Sequence, residues 1–193
     1  MLFLVRHGRT AHNATHRLLG RLDLPLDELG QRQAQALGTI DDLSHAARVI
    51  SSPLARARQT AKRLGPPLTI DDRWVEMDYG IYDGLPLAEV PTEIWDRWLS
   101  DPAWRPEGGE SHLDLDRRVR AACQDLYAEA LDGDVVVVSH VSPIKAAVAW
   151  ALGVGVEASW RMRLDTAAIC RIGPGPSGPS LLTFNETGHR PSG

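Results

Sequence analysis

Cysteine is scarce in this chain: Cys123 and Cys170 are the only two, far apart and without CxxC spacing. That argues against a disulfide framework and fits two small buried hydrophobes in a reducing compartment. Basic residues are not in excess either. Lysine and arginine total 21 against 25 aspartates and glutamates, a formal charge of −4, so a broad basic surface for nucleic acid is not expected. Any anion must be bound locally, by a few aimed groups. No apolar run approaches the length of a membrane span, and the opening run Met1 to Val5 is too short for a secretory signal. There are no internal repeats and no Walker lysine motif. Gly173-Pro174-Gly175-Pro176-Ser177-Gly178 matches GxGxxG by letter, but two prolines and no following helix make it a surface loop. His12 and His16 stand four apart, as helical metal ligands can, yet read as part of a polar loop. The sequons at Asn13 and Asn185 mean nothing without a secretory route. The expectation is a cytoplasmic protein with no metal, no cofactor, and no nucleic-acid or membrane partner; a homodimer stays open.

What is present is an ordinary globular composition, 43% apolar and 24% charged over 193 residues, enough for one domain with a full core and small for two. Strand-like apolar runs alternate with helical patterns, the signature of an α/β sheet with parallel pairing. Leu2 to Val5 is the first strand, Gly30 to about Ile40 a helix, and Arg48 to Ile50 the next strand. Ser52 is a good helix N-cap with Pro53 at the first helical position, and Ser142-Pro143 repeats that grammar to open a helix reaching about Leu152. Residues 77 to 110 break the alternation and read as a cap insertion in which Trp95 and Trp98, at i, i+3 spacing, pack onto the body. Ser111 to about Leu131 is a long amphipathic helix, capped by Ser111 with Asp114 three residues on. Two tail strands, about Ala167 to Ile172 and Leu181 to Phe184, are joined by the Pro/Gly loop.

The start of the chain carries the most chemistry. A buried apolar strand ends in Arg6-His7-Gly8, which delivers a guanidinium and an imidazole to one sheet edge while glycine lets the backbone turn away. An arginine can bind an anion that the neighbouring ring nitrogen attacks. Arg56 lies near the start of the helix after the second strand, and His140 at a strand end just before the Ser142-Pro143 helix. Helix N-termini favour phosphate, and ligands of open α/β sheets collect at the carboxyl ends of strands. His7, the Ser51-Ser52 turn and His140 all fall there.

The order of motifs matches a known family. Arg6-His7-Gly8-x-Thr10-x-x-Asn13, Ser52-Pro53-Leu54-x-Arg56-Ala57-x-Gln59-Thr60, Glu76-Met77-Asp78-Tyr79-Gly80, Gly108-Gly109-Glu110-Ser111 and Ser139-His140 resemble, nearly end to end, the histidine phosphatase superfamily with its phosphoglycerate mutase-like fold. The resemblance implies a three-layer α/β/α sandwich with a mostly parallel central sheet, helices on both faces and a small helical cap over the site, in a single domain spanning 1-193 with 77-110 as the insertion. It implies a metal-independent phosphomonoesterase acting on a small phosphorylated metabolite through a phosphohistidine on His7. Arg6, Arg56, Asn13 and His140 would hold the phosphoryl oxygens, with the Val141 N–H beside them, and Glu76 would be the general acid. Asp78 is the rival acid, Glu110 orders a loop, and Arg58 is a solvated helix residue. Within the fold the alternative is mutase-type transfer to a bound acceptor; outside it, a non-catalytic phosphate-binding protein. Three residues depart from the family pattern: Arg9, which adds positive charge at the mouth and favours a second anionic group on the substrate; Leu19, where a polar residue is usual; and Val141, which replaces a glycine and narrows access.

Overall fold

The computed structural model describes residues 1–191. Six strands, β1 (Leu2–Arg6), β2 (Arg48–Ser51), β3 (Leu68–Ile70), β4 (Val135–Ser139), β5 (Ile169–Gly175) and β6 (Gly178–Glu186), form one sheet of order β3-β2-β4-β1-β5-β6. The first four strands run parallel, and β5 and β6 close one side as an antiparallel pair. Strands β1 and β4 are apolar at nearly every position because both their faces are covered. Alternate residues serve opposite layers. Leu2, Leu4, Val135 and Val137 pack with Leu115, Val119 and Ile144 on one face, whereas Phe3, Val5, Val136 and Val138 pack with Leu37, Leu43 and Ala57 on the other. The architecture is therefore a mixed three-layer sandwich, as expected.

Seven helices connect these strands: α1 (Ala11–Ala14), α2 (Glu28–Leu37), α3 (Asp41–Ser44), α4 (Ala55–Ala61), α5 (Thr92–Ser100), α6 (His112–Asp132) and α7 (Val141–Ala151). Among the described residues no helix is long and apolar enough to cross a membrane. Helix α6 carries the expected capping box: the Ser111 hydroxyl receives the Asp114 N–H, and the Asp114 carboxylate receives the Ser111 N–H at 3.1 Å.

Several boundaries differ from expectation for identifiable reasons. Helix α2 starts at Glu28 because Asp27 accepts the Gly30 N–H at 2.8 Å and so caps it. Helix α4 starts at Ala55 and not at Pro53. The Ser52 hydroxyl is committed elsewhere, and Asp23, from a distant loop, takes the Ala55 N–H at 2.5 Å. Helix α7 starts at Val141, and the Glu76 carboxylate receives its first N–H groups. The tail strands are longer than expected: the Gly/Pro stretch continues the β5–β6 hairpin, with Pro174 facing Pro179 and the turn at Pro176-Ser177. These prolines lie beyond Leu2↔Ile172, the last pair that β5 makes with β1, so a missing N–H costs no bond to β1 there.

Between Met77 and Glu110 lie short turns and α5. Trp98, 1% exposed, is the hub of this segment, with Tyr79, Tyr82, Trp95 and Trp104 rings at centroid distances of 5.3–5.9 Å around it. Edge-on and tilted aromatic packing of this kind fixes the segment on the α6–α7 side of the sheet. Trp98 packs as expected; Trp95 also reaches a cavity wall.

Candidate active site

Register brings the two histidines together. Arg6 of β1 pairs with Ser139 of β4, and the His7 N–H donates to the Ser139 carbonyl at 3.0 Å. The residues that follow, His7 and His140, leave the same sheet edge with ring centroids 5.0 Å apart. On the other flank of β4, the Ser52 N–H donates to the Val138 carbonyl at 3.0 Å, which sets the Ser52 hydroxyl 2.7 Å from His140 Nε2.

His7 is 2% exposed, and its Nδ1 lies 2.7 Å from the Gly8 carbonyl. A carbonyl can only accept, so Nδ1 carries the hydrogen and Nε2 is left with its lone pair. Burial holds the ring well below its ordinary 6.5, and the Arg56 and Arg6 charges push the same way, so it is neutral at pH 7. The Gly8 turn is held from behind: its N–H donates to Thr60 Oγ1 at 3.1 Å, and that hydroxyl donates to the Arg56 carbonyl at 2.8 Å. A Cβ on Gly8 would stand 2.4 Å from the Gly30 carbonyl oxygen, so this backbone crossing requires glycine.

Two guanidinium groups flank the ring. Arg56 is fully buried and donates to the Gly20 and Leu22 carbonyls at 2.7 and 2.8 Å, and Arg6 donates to the Leu164 carbonyl at 2.7 Å. Neither has a bonded carboxylate among the described residues, and each leaves a buried Nε without a partner. Burial lowers Arg6 to about 10 and lowers Arg56 as well, while Glu76 opposes both shifts. The His140 Nδ1 is a further buried nitrogen without a partner. A Ser52 hydroxyl that accepts the Leu54 N–H at 3.3 Å and donates to His140 Nε2 leaves Nδ1 as the donor of the ring. Asn13 spends its side-chain oxygen on the Thr10 N–H and hydroxyl, at 3.1 and 3.0 Å, so its NH2 is the group left to donate. Buried donors that end without acceptors are costly unless a ligand supplies them.

Glu76 is 3% exposed and opposite this cradle. Its carboxylate accepts N–H bonds from Met77 at 2.7 Å, Val141 at 3.1 Å and Ser142 at 3.2 Å. Those bonds and the two arginines favour the ionised form, but burial outweighs them and raises the carboxyl above its ordinary 4.5. The Val141 N–H, expected to serve substrate, is thus engaged by Glu76. Asp78 accepts the Gly80 N–H at 3.0 Å. Glu110 binds Arg118 at 2.6 Å and the Asp78 N–H at 3.1 Å, a loop-ordering role. Arg58 is exposed. Of the three unusual positions, Leu19 is buried, and Arg9 has its charge answered by Asp27 at 2.8 Å. Arg9 nevertheless lines a cavity shared with Arg6 and Asn13.

Beside Glu76 opens a cavity of about 180 Å³ that includes Tyr79, Ser142 and Lys145 in its lining. Sequence reading gave Tyr79 and Lys145 no role and used Ser142 only to open a helix. One signal existed: Lys145 is the lone charge in Val141–Ala151. Among the described residues, no three or more His, Cys, Asp or Glu side chains are grouped so as to hold a metal ion.

An α/β sandwich that gathers two histidines and two arginines at the carboxyl edge of its central strands is suited to binding a phosphoryl group. The family model of the histidine phosphatase superfamily (branch 1) matches residues 2–187. A bifunctional protein of Mycobacterium tuberculosis is 37% identical over 97% of this chain and 54% of its own length. Phosphoserine phosphatase 1 of Hydrogenobacter thermophilus is 31% identical over 97% of this chain and 93% of its own. The solved structure of a mycobacterial glucosyl-3-phosphoglycerate phosphatase, complexed with VO3, superposes with a TM-score of 0.85 at 31% identity, covering 96% and 98% of the two chains. The chain belongs to the histidine phosphatase superfamily, branch 1. It spans about half the length of the mycobacterial relatives it matches.

Proposed function

We propose that this protein is a metal-independent phosphomonoesterase that works through a phosphohistidine on His7, with residues 77–110 capping the site. The observation that carries the reading is the His7 ring: neutral, held at Nδ1 by the Gly8 carbonyl, and flanked by donors that lack acceptors. A phosphate monoester carries nearly two negative charges at neutral pH. Arg6, Arg56, the Asn13 amide and His140 Nδ1–H would hold its non-bridging oxygens, and this fixed set of donors stabilises the transferring group without reorganising. The Nε2 lone pair attacks phosphorus as the bond to the leaving oxygen breaks, and the Glu76 carboxyl gives that oxygen its proton. Water then attacks the phosphohistidine, the Glu76 carboxylate takes the water's proton, and phosphate leaves with His7 restored. The proton donated by Glu76 must be present before attack, which agrees with the upward shift that burial gives it.

Relatives named for phosphoserine and glucosyl-3-phosphoglycerate support a small phosphorylated substrate. The test is phosphate release from a panel of phosphomonoesters in the presence of EDTA, with His7→Ala alongside. Hydrolysis that ignores EDTA and is abolished in the variant is the expected result. Substantial turnover by His7→Ala would sink the covalent scheme.

A further inference from the structure

We propose that Lys145 recognises a carboxylate on the leaving group of the substrate, so that the enzyme prefers small phosphomonoesters that are also acids. The inference rests on the phosphatase reading above and says which member of that class the site selects.

The cavity lies on the leaving-group side of the centre. Glu76, the group that would protonate the departing oxygen, is bonded to the Val141 and Ser142 N–H groups, and both of those residues line the cavity. Ser142 Oγ continues to the Tyr79 hydroxyl at 3.1 Å. Lys145 follows Val141 by four residues on α7 and so stands one turn deeper on the same helix face. It makes no ion pair or hydrogen bond with any described residue, although the charges of Arg9, Arg21 and Arg118 are each answered by a carboxylate. Half-buried, it lines the cavity as a cation with no bonded counter-ion, and Glu76 is the carboxylate whose charge reaches it.

A second observation points to the same ligand. His112 is 6% exposed, shares this cavity with Lys145, and has a buried Nδ1 without a partner. Its ring leans on Trp160 at 5.1 Å, and Trp95 stands 6.4 Å from Trp160. Burial depresses His112 to about 4, so at neutral pH it offers a hydrogen bond but no charge, and Lys145 is the cation of the cavity. A volume of 180 Å³ equals that of roughly six water molecules, room for a leaving group of a few carbons. A short chain walled by tryptophans and ended by a carboxylate at Lys145 uses each of these features.

Two matched pairs isolate the carboxylate: O-phosphoserine against O-phosphoethanolamine, and 3-phosphoglycerate against glycerol 3-phosphate. A charge-assisted hydrogen bond to a half-buried lysine predicts that the acid member of each pair has a kcat/KM about tenfold or more above its partner. The quantity read is the ratio within a pair, which cancels any general loss. In Lys145→Met that ratio falls to about one, and in Lys145→Arg it is kept. A wild-type ratio near one in both pairs, or a ratio undiminished in Lys145→Met, overturns the assignment. p-Nitrophenyl phosphate, measured in parallel, separates the two failures. If it is hydrolysed and the ratios are flat, this inference alone falls; if no phosphate is released from any ester, the phosphatase reading falls and takes this one with it.

Discussion

Replacing Glu76 by glutamine separates two things that one side chain does. As an acid it can hand a proton to the departing oxygen; as an acceptor it ties Met77, Val141 and Ser142 together. Glutamine keeps one acceptor oxygen. With that oxygen at the position of Oε1, the Met77 and Ser142 bonds survive and the new NH2 faces the Val141 N–H, which donates at 3.1 Å in the native protein. One buried donor set against another costs about 1–3 kcal/mol of stability. That loss weighs on every substrate alike and is read by thermal melting. The missing proton does not weigh alike. General acid catalysis contributes roughly 100- to 10,000-fold where an alkoxide must leave, or about 2.7–5.4 kcal/mol of barrier, whereas p-nitrophenolate departs almost unaided. Loss of the base that Glu76 supplies to the second step slows kcat for every ester, so the discriminating quantity is kcat/KM, which reports only the steps up to departure of the leaving group. Glu76→Gln should therefore lower kcat/KM for an alkyl phosphate by at least about 100-fold and for p-nitrophenyl phosphate by less than about tenfold. Across phenyl phosphates of graded leaving-group acidity, log kcat/KM should fall gently with leaving-group pKa in the wild type and steeply in the variant. Parallel lines would refute the acid role and leave Glu76 as the anchor of α7 alone.

The raised carboxyl of Glu76 also sets a pH dependence: the acid form is lost as pH rises through its folded value, above 4.5, so alkyl-phosphate turnover should decline on that limb. Glu76→Gln should lack the limb in a kcat–pH profile, and its persistence there would assign it to another group. Ser52→Ala removes the only hydrogen bond that orients the His140 ring among the described residues, and a neutral bond of about 1 kcal/mol predicts a roughly fivefold loss in kcat/KM. Loss of less than twofold with an unchanged melting temperature would show that the ring needs no such support. His112 is kept neutral down to about 4, so the unfolded chain binds its proton first as pH falls below about 6.5. Stability should drop from there towards pH 4, by at most about 1.4 kcal/mol per unit from this residue. Denaturant melts at pH 7 and pH 5 should show a smaller drop for His112→Gln, and an equal drop would place the acid sensitivity elsewhere.

The legible parts of this chain were those with short-range grammar. Apolar runs buried on both faces, such as Val135 to Val138, read as central strands without ambiguity, and the Ser111–Asp114 box announced α6. Arg6, His7, Arg56, Glu76 and His140 could be singled out because each sits in a motif, and the fold gathers them. What escaped was set by partners distant in sequence. Asp23 caps α4 from more than thirty residues away and Glu76 caps α7 from more than sixty, so the true helix starts had no local signal. Ser52 looked like a helix cap because a serine before a proline usually is one; its hydroxyl serves His140 instead. The Arg9 charge could be counted from sequence but not its neutralisation by Asp27, a contact that only the turn after β1 creates. Lys145 was invisible for the opposite reason: its significance is the partner it lacks.

The strand that leads into His7 lies in the middle of the sheet, with Leu2 paired to Val135 on one side and to Ile172 on the other. Both partners are more than a hundred residues downstream. Contacts of such sequence separation form late, because a long loop must close before they repay its entropy. As the chain is synthesised, β1 therefore has no neighbours until β4 and then β5 have left the ribosome. A chain cut short before Ile169 would carry Arg6, His7, Arg56, Glu76 and His140 and still lack the strand that closes one flank of β1.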